Sequence, residues 1–187
     1  MNKFVVLLAV GVFAVGAESQ TNAVARPRIL GIDHVSFYTT QPEEVKKLYG
    51  GTLGLAVAPP VEAGGFVRYI IGRQWVGYSA APDSKAADRM DHVALSTDNI
   101  ASLRKYLIAN GLKVPAIEGR ADHSLGFTVN DPEGHRIEFV ERGKSETPAA
   151  SSDSTVSRHV IHAGLLVHNR ELEDRFYRER VSLQPPV

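Results

Sequence analysis

Two stretches of the chain alternate between polar and apolar positions, and the triplet Asp-His-Val stands near the start of each. In residues 32–39, His34 and every second residue after it lie on one face, and apolar residues occupy the other. Residues 90–97 repeat this arrangement around His92. A two-residue period is typical of strands with one buried face. The pattern therefore predicts two equivalent strands, each with a histidine opposite its apolar face.

A helical pattern follows each of these strands. After the first strand, Pro42 and the two acidic residues behind it favour a helix start, and Gly50 favours its end. After the second strand, Leu103 and Leu107 share one face of a helix predicted over residues 100–110. Further strands are predicted at Leu53-Gly54-Leu55, 66–71 and 74–79 in the first half, and at 125–129 and 136–140 in the second.

These elements form an internal repeat, because residues 32–79 and 91–140 both run strand, helix, then further strands. The predicted fold class is α+β, with two βαβββ modules in one domain over residues 30–142. Residues 143–157 are rich in Ser, Thr, Pro and Ala and predict a linker. Residues 158–187 start the pattern a third time, with a strand-like run around His162, and end before the remaining strands.

Composition narrows the classes of function. The 187 residues are enough for one ordinary domain with some excess, and 43% of them are hydrophobic. The 21 Lys and Arg residues balance 21 Asp and Glu residues, which argues against a nucleic-acid-binding surface. Cysteine is absent, so disulfides, thiolate metal ligands and cysteine nucleophiles are excluded.

The first 25 residues are predicted to be a signal peptide with a short pro-linker. Lys3 supplies a positive start, residues 4–17 form an apolar run broken only by glycine, and small residues at 15–17 and 23–25 offer cleavage points. The apolar run is too short to span a bilayer comfortably. We therefore expect export to a periplasm or beyond, with no membrane association after cleavage.

Three residues form a candidate metal site: His34, His92 and Glu138. The glutamate lies in the middle of the last alternating run, residues 136–140. Two histidines and one carboxylate are the donors of the 2-His-1-carboxylate metal site. A single strand histidine is more often structural than a ligand, but two histidines at equivalent positions of a repeat favour a metal.

The repeat, both Asp-His-Val triplets, Leu53-Gly54-Leu55 and the closing segment Asn-Asp-Pro-Glu-Gly-His-Arg-Ile-Glu-Phe-Val resemble the vicinal oxygen chelate (VOC) superfamily. That superfamily includes glyoxalase I, methylmalonyl-CoA epimerase, the fosfomycin and bleomycin resistance proteins and the type I extradiol dioxygenases. The resemblance implies a curved mixed sheet around a metal cup, with His34, His92 and Glu138 as ligands. It also implies that residues 158–187 are the incomplete start of a second VOC domain.

The resemblance has departures that bear on the reaction. Glyoxalase I and the epimerase use a fourth ligand on the last strand of module one, and Gly77 stands at that position here. Three ligands with open positions resemble the iron(II)-dependent extradiol dioxygenases instead. Those enzymes carry a tyrosine where this chain has Thr128, and an upstream acid or base histidine for which His123 is the candidate. A surface loop position is the competing interpretation of His123.

We therefore expect a metal-dependent enzyme acting on a small oxygen-chelating substrate, with ring-cleaving dioxygenase chemistry favoured. The expected cofactor is a divalent metal, with Fe(II) favoured and Mn, Zn or Ni as alternatives. A glyoxalase-like isomerase or lyase is one alternative function, and a non-catalytic ligand-binding or resistance-type module is another. The expected partner is a small-molecule substrate, with no nucleic acid, and a homodimer is left open.

Overall fold

The computed structural model describes residues 24–59, 66–82, 89–143 and 156–183. Within these residues seven strands form one curled sheet: β1 (Ile29–Thr39), β2 (Val67–Ile71), β3 (Gln74–Ala80), β4 (Met90–Thr97), β5 (Glu118–Gly119), β6 (Leu125–Asn130) and β7 (Arg136–Glu141). The strand order across the sheet is β2-β3-β1-β4-β7-β6-β5.

Three helices accompany the sheet in the described residues. α1 (Pro42–Lys46) continues as a π-helical segment, Lys47–Thr52. α2 (Ile100–Ala109) matches the predicted helix, and α3 (Arg170–Asp174) also continues as a π-helical segment, Arg175–Arg180. No helix in the described residues is long and apolar enough to cross a membrane.

The sheet places the two predicted modules side by side. The first strands of the modules, β1 and β4, lie at the centre and pair antiparallel. Each also pairs in parallel with the last strand of its own module, β1 with β3 and β4 with β7. The predicted fold class, a mixed α+β fold of paired modules, is therefore confirmed.

The predicted strand at Leu53-Gly54-Leu55 is wrong. Leu53 still has helical dihedral angles, Gly54 has a φ of +64°, and the amide of Leu55 donates to the carbonyl of Tyr49 at 2.9 Å. This tripeptide therefore closes the first helix, because a left-handed glycine reverses the chain at a helix end. Strand-like pairing begins later, at an isolated bridge between Val57 and Tyr69.

Apolar side chains on the face opposite His34 and His92 pack against the helices in two clusters. The cluster under α2 has Leu103, Leu107, Phe127, Ile137 and Phe139 at its centre. The cluster of the first module has Leu55, Tyr69, Val76 and Tyr78 at its centre. The alternation seen in the sequence thus divides a helix-covered face from the face that carries the histidines.

The strand predicted near residues 160–167 does not form. The side chain of Gln74 accepts from the amide of Val160 at 2.7 Å and donates to its carbonyl at 2.9 Å. The segment packs through Val160 and Leu165 on the helix-covered face, rather than beside a strand edge. A helix, α3, does follow this segment, with the Asn169 side chain accepting from the amide of Leu172 at 3.1 Å.

The last described segment is part of the core. Phe176 and Val181 are buried in the cluster under α2. The interpretation of residues 158–187 as the start of a second domain stays a prediction. The predicted signal peptide falls almost wholly in residues 1–23 and most of the predicted linker in residues 144–155, both outside the described residues.

Candidate metal centre

The central strands bring His34, His92 and Glu138 together. In the β1–β4 pair His34 stands opposite Ala94, and in the β4–β7 pair Ala94 stands opposite Glu138. The Nε2 atoms of His34 and His92 lie 3.0 Å apart. The Oε2 atom of Glu138 lies 2.9 Å from the first of these nitrogens and 3.3 Å from the second. The structure thus makes one cluster of the three predicted ligands.

This spacing fits a single metal ion. Ligand atoms held about 2.0–2.2 Å from one cation, at right angles to one another, lie roughly 3 Å apart. Two imidazole nitrogens and one carboxylate oxygen suit first-row divalent metals. Across the described part of the chain, no other group of three or more His, Asp or Glu residues brings its ligand atoms this close.

A β-bulge beside each histidine turns an aspartate toward it. On β1 the register shifts just before His34 and leaves Asp33 as an extra residue; on β4 it shifts just before His92 and leaves Asp91 as an extra residue. An extra residue in a strand re-aims its side chain. The Nδ1 atom of His34 donates to Asp33 at 2.6 Å, and that of His92 donates to Asp91 at 2.8 Å. Both rings are thereby oriented with Nε2 toward the cup, as in carboxylate–histidine–metal arrangements.

Both aspartates are held ionised by further donors. Arg142 donates through Nε and Nη2 to the two oxygens of Asp33, at 2.6 and 2.7 Å. Asp91 accepts from Tyr38 at 2.7 Å and from Arg136 at 2.5 Å. Burial alone would raise the pKa of each carboxyl, but hydrogen bonds from the adjacent histidine and these donors hold it below its usual value.

The cluster itself attracts positive charge. Burial would raise the pKa of Glu138, yet hydrogen bonds with His34 and His92 and the charge of Arg120 hold it well below its usual value. Burial would lower the pKa of His92, but hydrogen bonds with Asp91 and Glu138 outweigh it and raise that pKa. A carboxylate that stays ionised at neutral pH and strongly favours a nearby cation is suited to metal binding.

The three residues line a cavity of about 200 Å³. Its other walls are formed by Asp33, Phe66, Arg68, Trp75, Arg120, Asp122, Ser124, Val140 and Arg142. The indole of Trp75 stacks on the His34 ring, with centroids 3.7 Å apart and an angle of 12° between the planes. Phe66 meets the indole edge-on at 5.5 Å. The cup therefore has an aromatic wall directly beside one predicted ligand.

That aromatic wall occupies the place of a fourth ligand. Gly77 stands opposite Ser36, which is the module-one equivalent of Ala94 opposite Glu138. A Cβ atom at Gly77 would lie 2.7 Å from the rings of Phe66 and Trp75. The position therefore lacks a ligating side chain, and aromatic rings fill the space that such a side chain would need.

His123 is not brought to the cluster. It lies exposed in the turn between β5 and β6 with a φ of +61°, and the cavity is lined by its neighbours Asp122 and Ser124. The catalytic role suggested for His123 stays a prediction without a supporting contact.

Several residues of the site were not predicted from the sequence: Asp33, Asp91, Arg120 and Arg142. The two aspartates had a visible signal, since each directly precedes a predicted ligand in the repeated triplet. The arginines had no such signal, because their position near the cluster depends on where the β5–β6 turn and the end of β7 lie.

A βαββ module and a βαβββ module around a His-His-Glu cup define a protein of the VOC class. A profile of the Glyoxalase/Bleomycin resistance protein/Dioxygenase superfamily matches residues 31–139. This match spans more than half of the chain, and the protein belongs to that superfamily. A comparison with curated protein sequences finds no significant match.

Solved structures of methylmalonyl-CoA epimerases share the fold. The epimerase from Mycobacterium tuberculosis aligns with a TM-score of 0.52 and 16% identity, over 64% of this chain and 92% of that one. A methylmalonyl-CoA epimerase in complex with methylmalonyl-CoA and NH4+ aligns with a TM-score of 0.52 and 15% identity, over 65% and 100%. A Streptomyces coelicolor epimerase variant in complex with 2-nitronate-propionyl-CoA gives 0.51 and 14%, over 62% and 99%. At these identities the likeness concerns the fold alone.

Proposed function

We propose that this protein is a metal-dependent enzyme in which His34, His92 and Glu138 hold a divalent cation that a small substrate chelates through its oxygen atoms. The observation that carries the proposal is the convergence of two Nε2 atoms and one carboxylate oxygen, 2.9 to 3.3 Å apart, in a lined cavity. When bound, such a cation supplies Lewis-acid and template chemistry for the substrate oxygens.

The cavity wall combines charged and apolar side chains. Arg68, Arg120 and Arg142 balance Asp33, Asp122 and Glu138, so a bound divalent cation would supply the net positive charge that attracts an anionic substrate. Phe66 and Trp75 contribute apolar surface. Apolar walls exclude water from the reacting atoms.

Within this class we favour iron(II)-dependent dioxygenase chemistry on a catechol-like or keto-acid-like molecule. Three protein ligands leave positions for both a chelating substrate and dioxygen. The aromatic rings packed against Gly77 support a three-ligand site, because a carboxylate there would collide with them.

The second candidate is a glyoxalase-like isomerase or lyase that uses Zn, Ni or Mn. The epimerase-like fold supports it. The two candidates differ in oxygen consumption, since an isomerase turns over its substrate under anaerobic conditions. We also propose that the protein acts after export, on the strength of the N-terminal pattern in residues 1–25.

Metal content provides the first test. We expect protein purified without chelators to hold about one divalent ion per chain, and His92→Ala to lose most of it, because one of three ligands is gone. Plasma mass spectrometry of the purified proteins measures this and identifies the metal. His162→Ala is the matched control, since this histidine is exposed and lies outside the cavity.

A metal content far below one per chain that falls no further in His92→Ala would contradict the proposal. Oxygen uptake with catechols, measured on iron-loaded protein, separates the dioxygenase from the isomerase. If a His34→Ala/His92→Ala double variant keeps full binding of a ligand, the protein is a binding module rather than an enzyme.

A further inference from the structure

Each of the three predicted ligands has an outer partner of opposite polarity. Asp33 and Asp91 accept from the two histidines, as described above. The partner of Glu138 is Arg120, whose Nη2 donates to the Oε1 atom of the carboxylate. The two oxygens of Glu138 are therefore engaged differently: Oε2 faces both histidines, and Oε1 faces the arginine.

The surroundings of Arg120 are shaped to hold its guanidinium at that point. Gly126 of β6 lies beneath the side chain, and a Cβ atom there would collide with the Nη2 and Cζ atoms of Arg120. Ser124, which is buried, accepts from Nη1 at 3.3 Å and donates to Asp122 at 2.6 Å. The amide of Arg120 donates to the carbonyl of Ser124 at 2.9 Å, which closes the turn. A missing side chain and a buried hydroxyl thus fix the guanidinium from two sides.

We propose that Arg120 is a positioning residue that keeps Glu138 a one-oxygen metal ligand and so keeps one more coordination position open for substrate. This inference rests on the metal site proposed above. Carboxylates bind metals through one or two oxygens. An arginine that occupies Oε1 with a charge-assisted hydrogen bond leaves only Oε2 for the cation.

The alternative role of Arg120 predicts the opposite effect on metal affinity. A guanidinium that is merely a positive charge near the site repels a divalent cation, so removing it would strengthen metal binding. If the guanidinium orients the ligand, replacing it weakens metal binding, because losing an outer-sphere partner typically costs 10–100-fold in metal affinity. The direction of the change therefore separates the two roles.

The experiment uses Mn(II) as the probe, on the full chain. Electron paramagnetic resonance of free Mn(II) gives the dissociation constant, and water-proton relaxation by bound Mn(II) gives the number of exchanging waters. We expect Arg120→Met to weaken Mn(II) binding by on the order of 10–100-fold. We also expect it to lower the number of exchanging waters by one, since Glu138 becomes free to bind through both oxygens. Arg120→Lys, which keeps the charge without the planar fork, should fall between.

Arg104→Met is the matched control, because among the described residues that arginine bonds only to backbone carbonyls of residues 114 and 115, away from the cavity. Circular dichroism and thermal unfolding of every variant establish that it folds. If Arg120→Met does not fold, Arg120→Lys and Ser124→Ala serve for the test, and both are expected to weaken Mn(II) binding.

Tighter Mn(II) binding in Arg120→Met, or an unchanged affinity and water count, overturns the positioning role while leaving the metal site intact. If the unsubstituted protein binds none of Mn(II), Fe(II), Zn(II) and Ni(II), the proposed function itself is overturned, and this inference with it.

Discussion

At the scale of single residues, the shape of the cup depends on Gly77. The indole of Trp75 lies flat on His34 because the residue two positions further along the strand has no side chain to displace it. The ring of Phe66 fills the same space, edge-on to the indole. Gly77 therefore has two effects. It offers no side chain as a fourth metal ligand, and it leaves room for the stacking of Trp75 on His34, the first predicted ligand.

We expect Gly77→Ala to destabilise the folded protein by about 1–3 kcal/mol, the usual cost of overpacking a filled site. The new methyl group would lie 2.7 Å from two aromatic rings, so Trp75 or Phe66 has to move. Urea unfolding measures the change. Gly164→Ala is the control, since nothing lies within 4 Å of its Cβ position. Equal stabilities of the two variants would show that the rings are not packed as described.

Residue by residue, the sequence predicted the site as far as periodicity extends. His34, His92 and Glu138 lie in alternating strands, so a two-residue period was enough to place all three on one face. His123 lies in a turn, where no period constrains the direction of a side chain, and the structure leaves it exposed.

At the scale of elements, the alternating sequence pattern did not predict the β-bulges at Asp33 and Asp91. Strict alternation places Asp33 and Asp91 on the face opposite to their histidines. The extra residue in each strand overrides this and brings aspartate and histidine to one side. The two bulges lie at equivalent points of the repeat, one on β1 and one on β4, so each histidine receives the same support.

We expect Asp91→Asn to weaken metal binding by on the order of 10–100-fold, because the amide supports the His92 ring less strongly and removes a negative charge near the cation. A competition titration with a chelator of known affinity measures the dissociation constant. Asp98→Asn is the control; Asp98 is exposed and accepts from the amide of Arg28. If both variants bind metal as the unsubstituted protein does, the bulges serve the fold and not the site.

The wrong prediction of a strand at Leu53-Gly54-Leu55 has a similar cause. Its short apolar run fits a strand and a helix end equally well, and the hydrogen bond from Leu55 to Tyr49 decides for the helix end. Such bonds are formed between elements and leave no signal in a local pattern.

At the scale of the whole molecule, the segment 156–183 is attached to the turn between β6 and β7. Glu133 of that turn accepts from the amide of Asn169 at 2.5 Å and donates its own amide to Glu173 at 3.0 Å. Tyr177 donates to Asp131 at 2.9 Å. Glu173 is only 4% exposed, and its Oε2 atom has no hydrogen-bond partner among the described residues.

We expect the stability conferred by Glu173 to depend on pH. Burial and the charge of Asp131 raise the pKa of Glu173 in the folded chain. Its contribution is complete below the unfolded value of about 4.3 and is lost as the pH rises through the higher folded value. Glu173→Gln, which stays neutral, should therefore gain stability relative to the unsubstituted protein between about pH 4 and neutrality.

Urea unfolding across that pH range measures the difference in free energy between the two proteins. The other ionisable groups are common to the two proteins, so their contributions cancel in the comparison. Glu179→Gln controls for the loss of a carboxylate, since Glu179 is exposed. Parallel curves for Glu173→Gln and the unsubstituted protein would contradict the prediction.

The repeat in the sequence predicted the two modules, and the family resemblance implied the single curved sheet that they form through the pairing of β1 with β4. It did not predict where the last segment lies. Phe176 and Val181 are apolar, but their sequence context does not indicate which surface they pack against. In the structure they pack in the cluster under α2.

Trp75 is the only tryptophan in the chain, and it stacks on His34. The intrinsic fluorescence of the protein under tryptophan-selective excitation therefore originates beside one candidate metal ligand, with the indole and His34 imidazole centroids 3.7 Å apart. A metal ion or small molecule that enters the cup changes the surroundings of the single emitting group. Candidate metals and substrates can accordingly be screened by optical titration of the unlabelled protein before any turnover is known.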